Sequence, residues 1–256
     1  MEFDLGIDQN LRISILTATY NAAEHLPQLI ESLRAQTDRD FEWIVMDGGS
    51  KDGTVEQLHD ARDIVSNWQS EPDFGIYHAL NKALGVASGA YYLVMGADDL
   101  LNPTAIENYR KAALISHADV ISAPVFVDGV EIAPPQKIIW WRSSPLFVSA
   151  HSVGSLIKKN LHEELGLYSR RFPIAADTYF FLHVWKAGKR IYCFPESVGT
   201  FGSAGVSGTD TLGGLCESFR ANAEVRGYLI VHLLLLVGRV MKNSARISRN
   251  LAQRRQ

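Results

Sequence analysis

Two adjacent carboxylates, Asp98 and Asp99, are the residues of this sequence that most directly suggest chemistry. They follow residues 91–95, an apolar run long enough for a buried strand, and Asn102-Pro103 can then start a helix. Open α/β sheets bind their ligands at the carboxyl ends of such strands. Oxygen ligands there suit a hard divalent cation that also holds substrate phosphates. The alternative is that both aspartates form a turn and cap the next helix.

The strands and helices that must position this acid pair alternate through residue 127, which predicts parallel βαβ units covered on both faces. The sequence predicts strands over residues 12–17, 41–46, 64–68, 91–95, 120–127, 151–157 and 191–194. It predicts helices over residues 26–33, 77–87, 104–115, 161–167 and 174–185. Many glycines in residues 199–214 predict a mobile loop or lid.

The polar loops after Thr17, Asp47 and Met95 should gather along one edge of the sheet. That is a nucleotide-binding arrangement. However, the chain lacks both the Gly-x-Gly-x-x-Gly fingerprint and the Walker Gly-Lys-Ser/Thr motif, so neither a dinucleotide dehydrogenase nor a P-loop NTPase is supported.

Composition sets further bounds. A length of 256 residues fits one large domain or two small ones, and a net charge of −3 gives no bias toward nucleic acid. Cys193 and Cys216 form neither a metal-ligand spacing nor a disulfide framework, which predicts reduced thiols in a cytosolic protein. We expect no signal peptide, because the N-terminus carries Glu2, Asp4 and Asp8 and no apolar run. No apolar stretch approaches the roughly 20 residues of a membrane span.

Four motifs in order carry a family resemblance. They are "ISILTATYN" at 13–21, "DGGSKDGT" at 47–54, "GIYHALNKAL" at 75–84 and "ASGAYYLVMGADDLL" at 87–101. Together they resemble the inverting family 2 glycosyltransferases, most of all the bacterial branch that builds colanic acid, O-antigen and other exopolysaccharides. The resemblance covers residues 12–127 strongly and 150–200 more loosely.

The resemblance implies a glycosyltransferase A-type fold, with a mostly parallel central sheet and flanking helices. It implies a nucleotide-sugar donor, usually a UDP-sugar, and Mg²⁺ or Mn²⁺. By position, Thr19 and Tyr20 would line the base pocket and Asp47 would hydrogen-bond the uracil or its ribose. Asp98 would hold the ribose or join the metal shell, and Asp99 would bind the metal that bridges the diphosphate.

Asp177 matches the catalytic base of the family, at the start of the helix after the acceptor loop. The cation neutralises the diphosphate leaving group, and one carboxylate deprotonates the acceptor hydroxyl for in-line attack at the anomeric carbon. One base and one displacement give inversion, whereas a double displacement would need a second, nucleophilic carboxylate.

The chain departs from the family pattern at three positions. Many relatives have Asp where Gly96 stands, Arg where Leu80 stands and Glu where Ala176 stands. The first departure leaves Asp98 and Asp99 with one fewer potential metal ligand. After the second, Lys82 could supply the charge that binds phosphate, or could be an ordinary solvated helix residue.

Several further side chains have two interpretations each. His151 lies where relatives often show a His and could touch the metal or diphosphate, or serve a structural role. Asp73 could approach the nucleotide or form a Pro-Asp turn. Trp140 and Trp141 could stack on sugar or lipid, or pack in the core.

The C-terminal region carries cations and no acid after Glu224. Four of the cations recur at helical spacing, namely Arg239, Lys242, Arg246 and Arg249. This predicts a basic amphipathic helix on an anionic membrane surface, and the alternative is a packed helix with a solvated basic tail. We divide the chain into a nucleotide-sugar-binding half (1–127), an acceptor and base half of the same domain (128–227) and this helix (228–256).

The resulting hypothesis is an enzyme that adds a hexose or N-acetylhexosamine to an undecaprenyl-diphosphate-linked saccharide. It would be cytoplasmic and peripheral at the inner face of the plasma membrane. A nucleotidyltransferase is a second hypothesis, but it requires a glycine-rich basic loop where residues 18–21 lack one. A third is a degenerate relative that binds nucleotide-sugar without turnover.

Overall fold

The structure of the chain is a computed structural model that describes residues 11–135, 151–202 and 210–253. Its strands are β1 (Ile13–Thr19), β2 (Phe41–Asp47), β3 (Val65–Ser70), β4 (Tyr91–Val94), β5 (Leu100–Leu101), β6 (Val120–Ser122), β7 (Val125–Val127), β8 (Val130–Ile132), β9 (Ser155–Lys158), β10 (Ile191–Cys193) and β11 (Gly199–Thr200). Its helices are α1 (Leu26–Arg34), α2 (Thr54–Asp60), α3 (Ile76–Val86), α4 (Ala105–Ser116), α5 (Leu161–Leu165), α6 (Ala176–Lys186), α7 (Thr211–Arg226), α8 (Leu229–Lys242) and α9 (Ser244–Gln253).

The main sheet has the strand order β10-β6-β9-β4-β1-β2-β3. Its pairs are parallel except at β9, which lies antiparallel between β4 and β6. Nearly every residue of β1 and β2 is buried, because helices cover both faces. α1, α2 and α4 pack on one face, and α3, α5, α6 and α7 pack on the other. Because β9 is inserted between β4 and β6, residues on both sides of position 128 share one sheet.

A small second sheet has the strand order β5-β11-β7-β8. Its strand β5 is the next strand of the chain after β4. The single strand predicted over residues 120–127 is wrong, because β6 belongs to the main sheet and β7 to the small one. Pro124 separates them, and proline has no N–H to continue a hydrogen-bonded ladder. The loop predicted from residue 199 is also wrong at its start, because β11 pairs with β5 and β7.

The C-terminal helix predicted from residue 228 is two helices, α8 and α9, separated at Asn243. The side-chain amide of Asn243 donates to the Arg239 carbonyl at 2.8 Å, and the backbone amide of Asn243 donates to the same carbonyl at 3.0 Å. α8 packs against α7, and α7 packs against α6. Across the described ranges, no helix combines the length and apolar character needed to cross a membrane.

Candidate active site

The carboxyl ends of β1 and β2 lie side by side, because Thr19 pairs with Asp47 in parallel register. Asp47 is 2% exposed. Its carboxylate accepts hydrogen bonds from the hydroxyls of Thr19 (2.9 Å), Ser50 and Ser70 (2.6 Å), and from the amides of Gly49 and Ser50. Burial by itself raises the pKa of Asp47, but these hydrogen bonds outweigh burial and lower it. Asp47 is therefore ionised at neutral pH and anchors the loop after β2.

Tyr20, Gly48 and Asp73 meet at the same edge of the sheet. A Cβ atom built on Gly48 would lie 3.2 Å from the Tyr20 ring and 3.3 Å from the Asp73 carboxylate. Tyr20 is 69% exposed, and Asp73 accepts a hydrogen bond from the Gly75 amide at 2.7 Å. The structure thus brings together four residues predicted to bind the donor: Thr19, Tyr20, Asp47 and Asp73. Because protein donors occupy both oxygens of Asp47, Tyr20 and Asp73 offer the more open surface to a ligand.

Lys82 has a carboxylate partner. Its ammonium, on α3, pairs with Glu71, which follows β3. The hydrogen bond from Lys82 is the main cause of the lowered pKa of Glu71. Lys82 therefore fastens α3 to the loop after β3, and a phosphate at Lys82 would compete with Glu71. The phosphate contact stays a prediction.

Asp99 is fully buried at the end of β4. Its two oxygens accept the amides of Gly96 (2.7 Å) and Gly202 (2.8 Å). Burial raises the pKa of Asp99 to about 7; the two amides oppose this shift, and the neighbouring charge of Asp98 adds to it. The acid pair is thus enclosed on one side by the segment that follows β11.

Glycines make this enclosure possible. A Cβ atom on Gly202 would lie 2.3 Å from the carboxyl group of Asp98 and 2.5 Å from its backbone oxygen. A Cβ atom on Gly96 would lie 2.8 Å from the Asp98 carboxylate and 3.3 Å from that of Asp99. A side chain at Gly202 would therefore push the covering segment away from the acids.

His151 lies beside the covering segment. Its ring packs against that of Phe201, with centroids 4.1 Å apart and the ring planes tilted by 36°, and Phe201 immediately precedes Gly202. Burial lowers the pKa of His151, so the imidazole is neutral near pH 7, which is the form that binds metal ions. The predicted metal contact of His151 stays a prediction.

Asp177 lies in the first turn of α6; the residue as a whole is partly exposed, but its carboxyl group is buried. Burial raises its pKa, and hydrogen bonds from the Thr178 amide (2.6 Å) and the Tyr77 hydroxyl oppose the shift. A carboxylate with a raised pKa is a better proton acceptor than an ordinary aspartate.

Tyr77 connects Asp177 to the sheet edge. Its hydroxyl donates to the Ile174 carbonyl at 3.1 Å and also interacts with the Asp177 carboxylate. Tyr77 is 8% exposed in the first turn of α3, four residues after Asp73. The candidate base is thus held next to the loop that follows β3.

The family follows from a match over more than half of the chain. Residues 14–171 match the sequence model of the family described as Glycosyl transferase family 2. The chain belongs to glycosyl transferase family 2. An uncharacterized glycosyltransferase of Mycobacterium tuberculosis (strain H37Rv) is 28% identical over 193 residues, covering 66% of this chain and 67% of the relative. One of Haemophilus influenzae is 34% identical over 217 residues, covering 73% and 64%.

Solved structures share the fold of this family 2 glycosyltransferase. S. aureus TarS 1–349 in complex with UDP superposes with a TM-score of 0.66 at 17% identity, covering 91% of this chain and 72% of TarS. The mannosyltransferase PcManGT from Pyrobaculum calidifontis, in complex with GDP-Man and Mn²⁺, gives 0.63 at 18% identity, covering 99% and 82%. The predicted glycosyltransferase A-type fold and enzyme class are confirmed, and the exopolysaccharide branch stays a prediction.

The acid pair of this glycosyltransferase fits a divalent cation. Each oxygen of Asp99 accepts one amide, which leaves each oxygen a free lone pair for a ligand bond. Within the described ranges, no group of three His, Cys, Asp or Glu side chains could hold a metal ion. Asp98 and Asp99 would then supply two oxygens, and phosphate and water would supply the rest, as Mg²⁺ and Mn²⁺ sites in nucleotide enzymes commonly do.

The start of α6 is capped by a distant helix. One oxygen of Glu217, on α7, accepts the amides of Ile174 (2.8 Å) and Ala175 (2.9 Å). No side chain at the N-cap of α6 makes this contact, so Glu217 satisfies amides that a helix start leaves unpaired. Glu217 therefore positions the helix that carries Asp177.

We expect Glu217→Gln to lower the free energy of unfolding by about 1–2 kcal/mol, because an amide oxygen accepts weaker hydrogen bonds than a carboxylate. Chemical denaturation measures the loss. Glu131→Gln is the matched control, since Glu131 is exposed on β8. Equal stability of the two variants would contradict the capping role.

Four residues of this region have no predicted role from the sequence, namely Tyr77, Asn81, Gly202 and Glu217. The Asn81 side chain exchanges two hydrogen bonds with the backbone of Tyr168, at 2.9 and 3.0 Å, and so joins α3 to the segment before α6. Tyr77 and Asn81 lie in the motif at 75–84 and glycines surround residue 202, whereas Glu217 had no sequence signal. Trp140 and Trp141 lie outside the described residues.

Proposed function

We propose that the chain is a metal-dependent inverting glycosyltransferase that moves a hexose or N-acetylhexosamine from a UDP-sugar to a lipid-linked saccharide. The observation that carries this proposal is the Tyr77 contact. The Tyr77 hydroxyl, four residues after Asp73 in the chain, donates to the Ile174 carbonyl and influences the pKa of Asp177, so it links the start of α6 to the loop after β3 and supports a base near the strand-end loops. A base adjacent to a nucleotide edge is the arrangement that a single displacement needs.

Each residue has a defined role in this mechanism. Tyr20 and Asp73 contact the nucleoside, and Asp47 keeps the loop after β2 in place for it. Asp98 and Asp99 would hold the cation, and the cation would supply positive charge that offsets the charge of the diphosphate leaving group. Asp177 accepts the proton of the acceptor hydroxyl as that oxygen attacks the anomeric carbon from the face opposite the diphosphate, which inverts the configuration.

Structural neighbours support a nucleotide-sugar donor. TarS has been solved with UDP and with UDP-GlcNAc, and PcManGT with GDP-Man and Mn²⁺. For the present chain we propose a donor with a uracil base, and Mg²⁺ or Mn²⁺ as the cation.

We further propose that the acceptor is an undecaprenyl-diphosphate-linked saccharide of bacterial surface polysaccharide synthesis, such as O-antigen. The enzyme would then work in the cytoplasm at the inner face of the plasma membrane. The cations of the C-terminal region, with no acid after Glu224, support this location.

A donor screen tests the proposal. The purified protein is incubated with Mn²⁺ and, in turn, with common UDP-, GDP- and dTDP-sugars, and released nucleotide is measured with and without EDTA. We expect slow release of UDP from one UDP-sugar. EDTA should stop this release, and the Asp99→Asn variant should not show it. EDTA-resistant release would contradict metal dependence, and UDP binding without release on any acceptor would favour a non-catalytic relative.

A further inference from the structure

Helix α8 carries a continuous apolar surface that faces solvent. We call it the α8 apolar face, and its residues, with their exposed fractions, are Leu229 (60%), Ile230 (74%), Leu233 (47%), Leu234 (68%), Val237 (50%) and Met241 (72%). At 100° per residue these side chains span an arc of roughly 140°. Exposed apolar patches of this extent mark interaction sites.

The opposite side of α8 is packed against the protein. His232 is 3% exposed, and α8 packs against α7. α8 is thus a docked helix with one free side, so the exposure of its apolar residues is a property of the folded protein.

Positive charge continues from this surface. Residues 225–256 contain seven Lys and Arg residues and no Asp or Glu. Lys242 directly follows Met241 of the α8 apolar face, and Arg246 and Arg249 are exposed on α9, the next helix of the chain. A second copy of the chain on this face would bring two cationic segments together, whereas an anionic surface complements both the charge and the apolar side chains.

We propose that the α8 apolar face inserts into the interface of a bilayer that contains anionic lipids, with Lys242, Arg246 and Arg249 at the headgroups. α8 has 14 residues and is about 21 Å long, so it lies in the membrane plane and does not span the bilayer. The inference extends the proposed function, because it names the surface that would bring the enzyme to a lipid-linked acceptor.

In the structure, the membrane-binding surface lies on a shorter stretch of the chain than the sequence predicted. The basic amphipathic helix is predicted over residues 228–256, but the break at Asn243 separates α9, whose Ile247 is 8% exposed and faces inward. The lipid-facing residues therefore lie on α8. α8 packs on α7, and Glu217 of α7 caps the start of α6. The α8 apolar face is therefore connected to Asp177 through packed helices.

Vesicle co-sedimentation of the full chain tests the proposal without donor or acceptor. The probes are vesicles of phosphatidylcholine with phosphatidylglycerol, about 3:1, and vesicles of phosphatidylcholine alone. We expect binding to the anionic vesicles that weakens in high salt, because charge attraction is screened. The double change Leu233→Ser with Leu234→Ser should weaken binding at least about tenfold. Ile115→Ser, at a residue 78% exposed on α4, should leave it unchanged.

A charge variant provides a second, independent readout. Lys242→Gln with Arg249→Gln should weaken binding to anionic vesicles about tenfold, and Arg62→Gln, at an exposed residue elsewhere, should not. Vesicle-free donor hydrolysis should stay intact in all these variants, which separates failure of this inference from failure of the proposed function. Absence of wild-type binding, or equal binding by the leucine variant, would overturn the proposal. The proposal would also be overturned if the wild type were a dimer and the leucine variant a monomer.

Discussion

Asp177→Asn is expected to abolish glycosyl transfer and at the same time to raise the unfolding temperature. Transfer should fall by about 10²–10⁴-fold, because asparagine cannot accept the acceptor proton. UDP binding should persist, since Asp177 contacts Tyr77 and Thr178 and not the loop after β2. Turnover assays and titration calorimetry measure the two effects, and Asp60→Asn, at an exposed acid, serves as the control.

The sign of the stability effect follows from the raised pKa of Asp177. Because burial raises the folded pKa above the unfolded value of about 3.9, ionising Asp177 costs folding free energy above the raised pKa. Below both values the carboxyl group is protonated in either state and the cost disappears. The stability advantage of Asp177→Asn should therefore grow with pH, and thermal unfolding at several pH values measures it.

Activity should depend on pH in the opposite sense. Only ionised Asp177 can act as the base, so kcat/KM of the wild type should rise with pH through the raised pKa and then level off. Transfer by Asp177→Asn close to the wild-type rate, or an advantage in stability that shrinks as pH rises, would remove Asp177 from this role.

Gly202→Ala is expected to cause the second large loss of activity. Its Cβ would lie 2.3 Å from the carboxyl group of Asp98 and 2.5 Å from the backbone oxygen of Asp98. The carboxyl group can turn away but the backbone oxygen cannot, so the segment after β11 must move. The amide of Gly202 would then leave Asp99, which it contacts at 2.8 Å. We expect donor turnover to fall by about 100-fold, comparable to the loss of one precisely placed electrostatic contact.

A matched glycine separates this local effect from a general effect of alanine. A Cβ atom placed on Gly85, inside α3, would meet no other atom within 4 Å, so Gly85→Ala should keep activity and add about 0.5–1 kcal/mol of stability. Donor hydrolysis and denaturant unfolding of both variants give the comparison. Normal turnover by Gly202→Ala would mean that the acid pair functions without its covering segment.

The sequence by itself determined the fold class and which strand-end loops share one edge of the sheet. Apolar runs such as residues 41–46 are local signals, and the rule that parallel strands share one carboxyl edge placed Asp47 and Asp99 at the same side of the sheet. The motifs over residues 13–101 predicted the family that residues 14–171 match.

Only the tertiary structure decided how those residues are held. One of the two amides that donate to Asp99 belongs to Gly202, 103 residues away, and the side chain that caps α6 belongs to Glu217. The strand predicted over 120–127 divides between two sheets, and the apolar face of α8 stays exposed. Periodicity records which face of an element is apolar, but contacts between distant loops depend on which elements pack together. Which elements pack together depends on the whole chain, because all elements must bury their apolar faces and pair their polar groups at the same time.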